Sequence, residues 1–475
     1  MKRYDHNLVV IGAGSAGLVA ALVAATARAR VVLVEREKMG GDCLHTGCVP
    51  SKALIASAKT VHQLNGATNF GLRGVHGDVD FEAVMARVHR IIAAIAPKDS
   101  IARYESLGVT CAIGHAEIHD PHRVSVDGVS YKTRNIVVAS GAEPVVLSIP
   151  GLNEDDCLTS TNLWSIRELP RRLLVLGGGP IGCELAQAFN RLGSDVTLIE
   201  TEDRLLPRED EEVGTMIAEI FRREGVRVLT GHRPDRCTGK RLSIIGPSSV
   251  EEVDFDRILI AAGRRARTSG MGIENLGIEI KPDGTLAVDR YLRTAINSIY
   301  AAGDVVGPYQ FTHMASHQAW IAAANALARP FWRFALDESV VPWATYTDPE
   351  VARVGLSEEQ ARSTGRDIVV TRYELDDLDR AQTDGRTEGF VKLVTARGSD
   401  RLLGALVVGP EAGEIISEYV TAMTHGLGLK KIFSTIHVYP TRMDAARLAA
   451  GAWRRNDVSK GLLGALQRVN DYMRL

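Results

Sequence analysis

Leu8-Val9-Val10-Ile11-Gly12-Ala13-Gly14-Ser15-Ala16-Gly17 opens the chain, and Leu173-Leu174-Val175-Leu176-Gly177-Gly178-Gly179-Pro180-Ile181-Gly182 repeats its grammar. Each copy is an apolar run followed by glycines at i, i+2 and i+5. A helix-like stretch follows (to Arg28, and Glu184 to Leu192), then a second apolar run that ends in an acid: Val31 to Val34 before Glu35, and Val196 to Ile199 before Glu200. In both copies the first glycine precedes the acid by 23 positions. One G-x-G-x-x-G is weak evidence, but two copies, each between strand and helix with an acid at the same distance, are strong. The first glycine makes the tight turn, the second admits a pyrophosphate, and the third lets helix and strand pack closely. The helix N-terminus then offers free N–H groups and a positive dipole end, and Glu35 and Glu200 would take ribose hydroxyls. Two such units imply an α/β protein with two Rossmann-like domains and two dinucleotides exchanging electrons. A carboxylate at Glu200 repels a 2'-phosphate, so NAD(H) is favoured over NADP(H), although Arg204 lies close in sequence.

The remaining composition fits such a protein. At roughly 150 residues per domain, 475 residues make about three domains. With 45% apolar and 24% charged residues, collagenous, low-complexity and disordered readings fail. Formal charge is -2, from 56 basic and 58 acidic side chains, so no global field exists to hold nucleic acid. Lys2 and Arg3 before the apolar stretch Leu8 to Ala25 mimic a signal peptide. Gly12, Gly14 and Gly17 inside it, and the strand directly after it, argue against that, and no membrane span is expected. Six cysteines, at 43, 48, 111, 157, 183 and 237, are too sparse for a secreted disulfide scaffold and point to a reducing, cytoplasmic setting.

Two of them lie close together, in Gly40-Gly41-Asp42-Cys43-Leu44-His45-Thr46-Gly47-Cys48-Val49-Pro50-Ser51-Lys52. In a regular helix residues five apart are about 7.5 Å apart along the axis, beyond the roughly 7 Å that a disulfide spans. Either the pair is unbridged or the segment is not one helix. Gly40, Gly41 and Gly47 permit a distorted turn, and Pro50 suits a first helical turn. A helix beginning near Cys48 would favour a thiolate there. C-x4-C lacks the C-x2-C spacing of structural zinc sites and has no second pair downstream, so no structural metal is expected.

GGDCLHTGCVPSK, preceded by GAGSAG and followed by GGGPIGCE, resembles the class I pyridine nucleotide-disulfide oxidoreductases, among them dihydrolipoyl dehydrogenase, glutathione reductase and mercuric reductase. Ala139-Ser140-Gly141, Ala261-Ala262-Gly263-Arg264, Tyr300-Ala301-Ala302-Gly303-Asp304 and Thr347-Asp348-Pro349-Glu350 extend the resemblance over essentially the whole chain. It implies FAD on the first fingerprint, with Gly12, Gly14, Gly17, Glu35, Gly41, Ser140, Gly141, Gly303 and Asp304 around it. It implies NAD(P)H on the second, with Gly177, Gly179, Gly182, Glu200 and Gly263. Cys48 would be the flavin-proximal thiol and Cys43 the interchange thiol, with Lys52 and Glu184 as an ion pair beside the flavin. The implied division is an FAD domain of residues 1–155 and 275–338, an NAD(P) domain of 156–274, and an α+β dimerisation domain of 340–475. The dimer would share its active sites between subunits.

One stretch departs from the pattern. Disulfide-reducing members carry His before a C-terminal Pro-Thr and Glu four residues after that Pro, whereas this chain reads Ile436-His437-Val438-Tyr439-Pro440-Thr441-Arg442-Met443-Asp444. Tyr439 holds the base position, and Asp444 is the shortened carboxylate. With an ordinary pKa near 10, tyrosine is a poor base at neutral pH. His437, two residues earlier, would share Tyr439's side of an extended segment, either substituting as base or serving structurally. Tyr439 and Asp379-Arg380-Ala381 resemble mercuric reductase, but no cysteine follows Cys237, so a metal substrate would reach Cys43 and Cys48 directly. The expected function is electron transfer from NAD(P)H through FAD and the Cys43-Cys48 pair to Hg(II), another soft metal ion or an electrophilic disulfide. The alternatives are a dihydrolipoyl dehydrogenase and a redox-sensing flavoprotein without rapid turnover. The tail Leu462-Leu463-Leu466-Val469-Met473 has helical spacing; core or dimer packing is its commoner use, a membrane or partner surface the rarer one.

Overall fold

The computed structural model describes residues 3–457 and 460–474. Contacts divide them into two units, one of residues 3–205 and 221–337 and the other of 206–220 with 338 onward.

The first unit carries both repeats. His6–Ile11 pairs in parallel with Val31–Glu35 (Leu8 opposite Val31) and on its other side with Val129–Val138. Thr110–Ile113 extends the sheet at the Val31–Glu35 edge. Leu8, Val9 and Val10 are completely buried, the continuous apolar run expected of a parallel strand covered on both faces. Ile299–Ala301, far along the chain, joins the same sheet against Ile136, Val137 and Val138. The second repeat builds a separate parallel sheet in the spatial order Arg227–Leu229, Asp195–Ile199, Arg172–Leu176, Arg257–Ile260, Cys157–Leu158. Its central register, Leu173 opposite Val196, reproduces Leu8 opposite Val31. The helices Ser15–Thr26 and Pro180–Arg191 leave the two glycine turns. The fold is the α/β arrangement of two dinucleotide-binding units read from the repeat.

The second unit is an antiparallel sheet in the order Pro342–Thr345, Glu350–Gly355, Leu402–Gly409, Phe390–Ala396, Ile368–Glu374. Helices Ala412–Thr424 and Asp444–Asp457 pack their alanines and Tyr419 into its core, giving the α+β character expected of this region. The tail forms a helix, Lys460–Met473. Leu463, Leu466, Val469 and Met473 are exposed, so the single chain does not make the core packing expected for them. Leu462's side chain lies outside the described residues. Among the described residues no helix is long and apolar enough to cross a membrane.

Candidate active site

The two glycine turns are built alike, and their glycines do different work. Gly12 has φ +99°, and a Cβ there would lie 2.3 Å from Ala139 O; Gly177 has φ +113°, with Ala261 O at 2.5 Å. A Cβ on Gly17 would meet Gly12 O at 1.7 Å, and one on Gly182 would meet Gly177 O at 1.8 Å, so the third glycine of each turn sets how closely helix and strand approach. The middle glycines are open: the nearest atom to a Cβ on Gly14 is Gly41 Cα at 3.8 Å, and Gly179 has nothing within 4 Å. Gly14 and Gly179 are the N-caps, without side-chain hydrogen bonds, of helices whose first turns carry no acid. Both helix ends therefore offer bare N–H groups and a positive dipole beside open backbone, which suits a pyrophosphate.

The acids close each turn in the same way. Glu35 accepts from Ala13 N and Glu37 N, both at 2.7 Å. Glu200 accepts from Gly178 N at 2.6 Å and Glu202 N at 2.9 Å, with Thr201 Oγ1 as a third donor. Each carboxylate thus binds its own glycine turn, and that anchorage places it at the strand tip. A cleft of about 1090 Å3 opens at the first turn, lined by Gly12, Gly14, Glu35, Gly41, Cys43, Ser140, Gly141, Gly303, Asp304 and Thr312 among others. Residues from three distant parts of the chain, 12–43, 140–141 and 303–312, converging on an anion-ready turn with an acid at its strand tip, fit FAD. Gly17 is not among the lining residues, consistent with its packing role.

Cys43 and Cys48 fall on two helices, Gly41–His45 and Cys48–Asn65, separated by Thr46 and Gly47. The break explains how residues five apart come within reach: both thiols are free and share a hydrogen bond. Cys48 is the first residue of its helix, and Sγ lies 3.4 Å from Thr312 Oγ1. The Cys43 hydrogen bond, then Thr312 and the Lys52 ammonium, lower the Cys48 thiol to about 6 against desolvation and Glu184. Cys43, facing its partner's charge and partly desolvated, is pushed far up. Lys52 Nζ lies 2.8 Å from Glu184 Oε2, and Glu184 is buried. Asp42, beside Cys43, accepts from Thr46 Oγ1 at 3.0 Å and pairs with Arg264. Arg264 Nε also lies 3.6 Å from Asp304, whose carboxyl is raised by burial.

In the second unit, Tyr439 is two-thirds exposed and its hydroxyl donates to Asp379 Oδ2 at 2.7 Å. That bond raises the phenol above its ordinary range. Asp444 does not hold Tyr439: it is buried at the start of helix Asp444–Asp457 and accepts from Arg447 Nε at 2.7 Å. Nor does His437 share Tyr439's surroundings. Its side chain is 6% exposed, Nε2 meets Glu418 Oε1 at 2.9 Å, and Nδ1 meets Thr435 O at 3.0 Å. The alternation expected of an extended segment yields to this carboxylate, which turns the ring inward. The model for pyridine nucleotide-disulphide oxidoreductases matches residues 6–319, and the family's dimerisation domain matches 341–450.

The chain belongs to the pyridine nucleotide-disulphide oxidoreductase family.

The oxidoreductase is 36% identical to a dihydrolipoyl dehydrogenase of Thermus scotoductus, over 96% of this chain and 99% of that protein. It is 33% identical to a mercuric reductase of Staphylococcus aureus, over 96% of this chain and 84% of that one. The solved Cu(II) complex of the HOCl-induced flavoprotein disulfide reductase RclA from Escherichia coli matches 95% of this chain and 99% of its own, at 29% identity and TM-score 0.83. The family binds FAD and a pyridine nucleotide, and its dimerisation domain makes a homodimer the expected assembly.

Three contacts in the oxidoreductase had no sequence signal. Thr312 reaches Cys48 across 264 positions, Arg264 reaches Asp42 across 222, and Tyr439 reaches Asp379 across 60. The Cys48 environment predicts a titration. In the reduced protein the thiolate ultraviolet absorbance persists as pH falls from 8, and disappears through about 6 as Cys48 takes up a proton. Lys52→Met removes a stabilising charge and moves that midpoint upward. A midpoint near the ordinary thiol value of about 8.5 in the wild type would refute the Cys48 environment described here.

Proposed function

We propose that this protein carries electron pairs from NADH to a soft metal ion such as Hg(II), or to an electrophilic disulfide, through a Cys43–Cys48 relay. FAD held in the first cleft would supply two-electron chemistry between the nicotinamide and the Cys43–Cys48 disulfide. Gly12, Gly14, Gly41, Ser140, Gly141, Gly303 and Asp304 would hold FAD, with Gly17 packing the turn and Glu35 at its ribose. Gly177, Gly179, Gly182, Glu200 and Gly263 would serve the nicotinamide dinucleotide, and the Glu200 carboxylate favours NADH over NADPH. Cys48 holds the thiolate beside Thr312 and Lys52, Glu184 anchors Lys52, and Cys43 meets the acceptor. One electron pair reduces a disulfide to two thiols or Hg(II) to the metal, so the same relay serves either.

The observation that carries the choice of acceptor is Tyr439 donating to Asp379. A phenol held protonated cannot remove a proton from a dithiol, but its oxygen still offers a neutral ligand to a thiolate-bound metal. The mercuric reductase relative and the Cu(II) complex of RclA support this reading. Dihydrolipoyl dehydrogenase is the second reading, favoured by the 36% identical relative. Against it, both ring nitrogens of His437 are engaged, and Asp444 is taken by Arg447. We further propose that each site is completed by Tyr439 of a second subunit, that residues 1–155 with 275–338 serve FAD and 156–274 serve NADH, and that the protein works in the cytoplasm.

The test is NADH oxidation with Hg(II) in excess small thiol, beside lipoamide and glutathione disulfide, corrected for oxygen. Mercury-dependent turnover dominates, NADH exceeds NADPH, and Tyr439→Phe lowers the mercury rate on the order of tenfold, the loss of about 1.4 kcal/mol of transition-state stabilisation. Rapid lipoamide turnover that survives Tyr439→Phe and fails in His437→Ala would transfer the protein to the second reading.

A further inference from the structure

Phe331-Trp332-Arg333-Phe334 follows the helix Thr312–Ala328 in the first unit and takes no part in the site described above. Aromatic side chains ordinarily bury most of their area. Here Phe331 is 81% exposed and Trp332 69%, with Trp320 and Phe334 also exposed. The backbone is nonetheless well tied. Asn325, almost fully buried, accepts from Phe334 N at 2.7 Å and donates to Phe334 O at 2.8 Å and Tyr291 O at 3.0 Å. Phe331 N and Trp332 N donate to Ala328 O, and Leu336 N donates to Arg290 O. Trp320 and Phe334 meet edge to face with centroids 5.1 Å apart. A buried amide therefore holds a segment that presents two large aromatic rings outward.

Arginines from three stretches of chain gather around it. Arg134 Nη2 donates to Arg329 O at 2.8 Å. The guanidinium groups of Arg290 and Arg333 each lie 5.7 Å from the Tyr291 ring centroid. Asp289, the acid beside Arg290, is paired with Arg293 at 3.1 Å. The formal charge of -2 does not oppose an anion here, because charges beyond about 8–10 Å are screened at physiological salt. Tryptophan and arginine together are the chemistry of a lipid interface, where rings sit among headgroups and guanidinium groups meet phosphates.

We infer that the Phe331–Phe334 segment and its arginines dock this protein reversibly on an anionic phospholipid surface. The charge complementarity and the pinned, outward rings favour a bilayer over a second copy of the chain. The FAD-loaded protein, in about 0.1 M salt, is sedimented with vesicles of phosphatidylglycerol and phosphatidylcholine, or of phosphatidylcholine alone. Binding is to the former and weakens with added salt. F331S/W332S and R290E/R333E each lower partitioning at least about tenfold, while NADH oxidation without vesicles is unchanged. Brominated acyl chains quench wild-type tryptophan fluorescence, and W332F binds but loses most of the quenching. Equal binding to both vesicle types, or binding that survives F331S/W332S, overturns the inference. So does a change of oligomeric state in F331S/W332S at unchanged vesicle binding, which would assign the patch to a second copy.

Discussion

Cys48→Ala protein, loaded with FAD and mixed anaerobically with NADH, develops none of the long-wavelength thiolate-to-flavin absorbance that wild type and Cys43→Ala display. The asymmetry of the thiols dictates this. Cys48 begins an 18-residue helix, receives hydrogen bonds from Cys43 and Thr312, and faces the Lys52 ammonium, all of which favour its anion. The same arrangement pushes Cys43 far up, so at neutral pH the charge sits on one sulfur. Both variants lose acceptor reduction by at least about a thousandfold, because neither can close or open the disulfide. Spectrum and rate therefore separate: Cys43→Ala is silent in turnover but keeps the band. A band that survives in Cys48→Ala would reverse the assignment of the two thiols.

Gly179→Ala and Gly182→Ala, three residues apart in one turn, produce opposite failures. A methyl group on Gly179 meets nothing within 4 Å, and the residue's φ of -72° is open to any L-amino acid. The protein folds with unchanged thermal stability and FAD content, but the methyl occupies the approach of the pyrophosphate. KM for NADH rises at least about tenfold, equivalent to roughly 1.4 kcal/mol of binding. In Gly182→Ala the added carbon would lie 1.8 Å from Gly177 O. Helix Pro180–Arg191 must then move off its strand, at a cost at or above the roughly 1–3 kcal/mol typical of overpacking. Its thermal midpoint falls, and little folded protein remains on which to measure KM. Equal thermal midpoints for the two variants would show that the third glycine does not set the helix–strand distance.

Much of this was readable from order alone. The double fingerprint is local: glycine positions, apolar runs and strand-tip acids all lie within one supersecondary unit, and sterics forbid any residue but glycine at Gly17 and Gly182. The cysteine pair was legible for the same reason, since Gly40 and Gly41 before the first thiol and Gly47 between the two announce that the segment is not one continuous helix. The C-terminal stretch was read less well. Period-two alternation placed His437 with Tyr439, but it contains no term for Glu418, whose carboxylate draws the imidazole inward. Counting four residues from Pro440 gave the orienting acid as Asp444, while Arg447, one helical turn along, claims that carboxylate and Asp379 receives the tyrosine hydroxyl.

The sequence by itself determined the α/β class, the two glycine turns, the acid at each strand tip, and the broken helix that carries the Cys43–Cys48 pair, because each is specified by residues near one another in the chain. Only the tertiary structure decided which partners those groups meet. Thr312 comes to Cys48, Arg264 to Asp42, Asp379 to Tyr439, and Arg134, Arg290 and Arg333 to one aromatic loop in a chain whose overall charge gives no hint of it. Such pairs are fixed by the packing of whole sheets and helices, and long-range packing leaves no spacing in the sequence to be read.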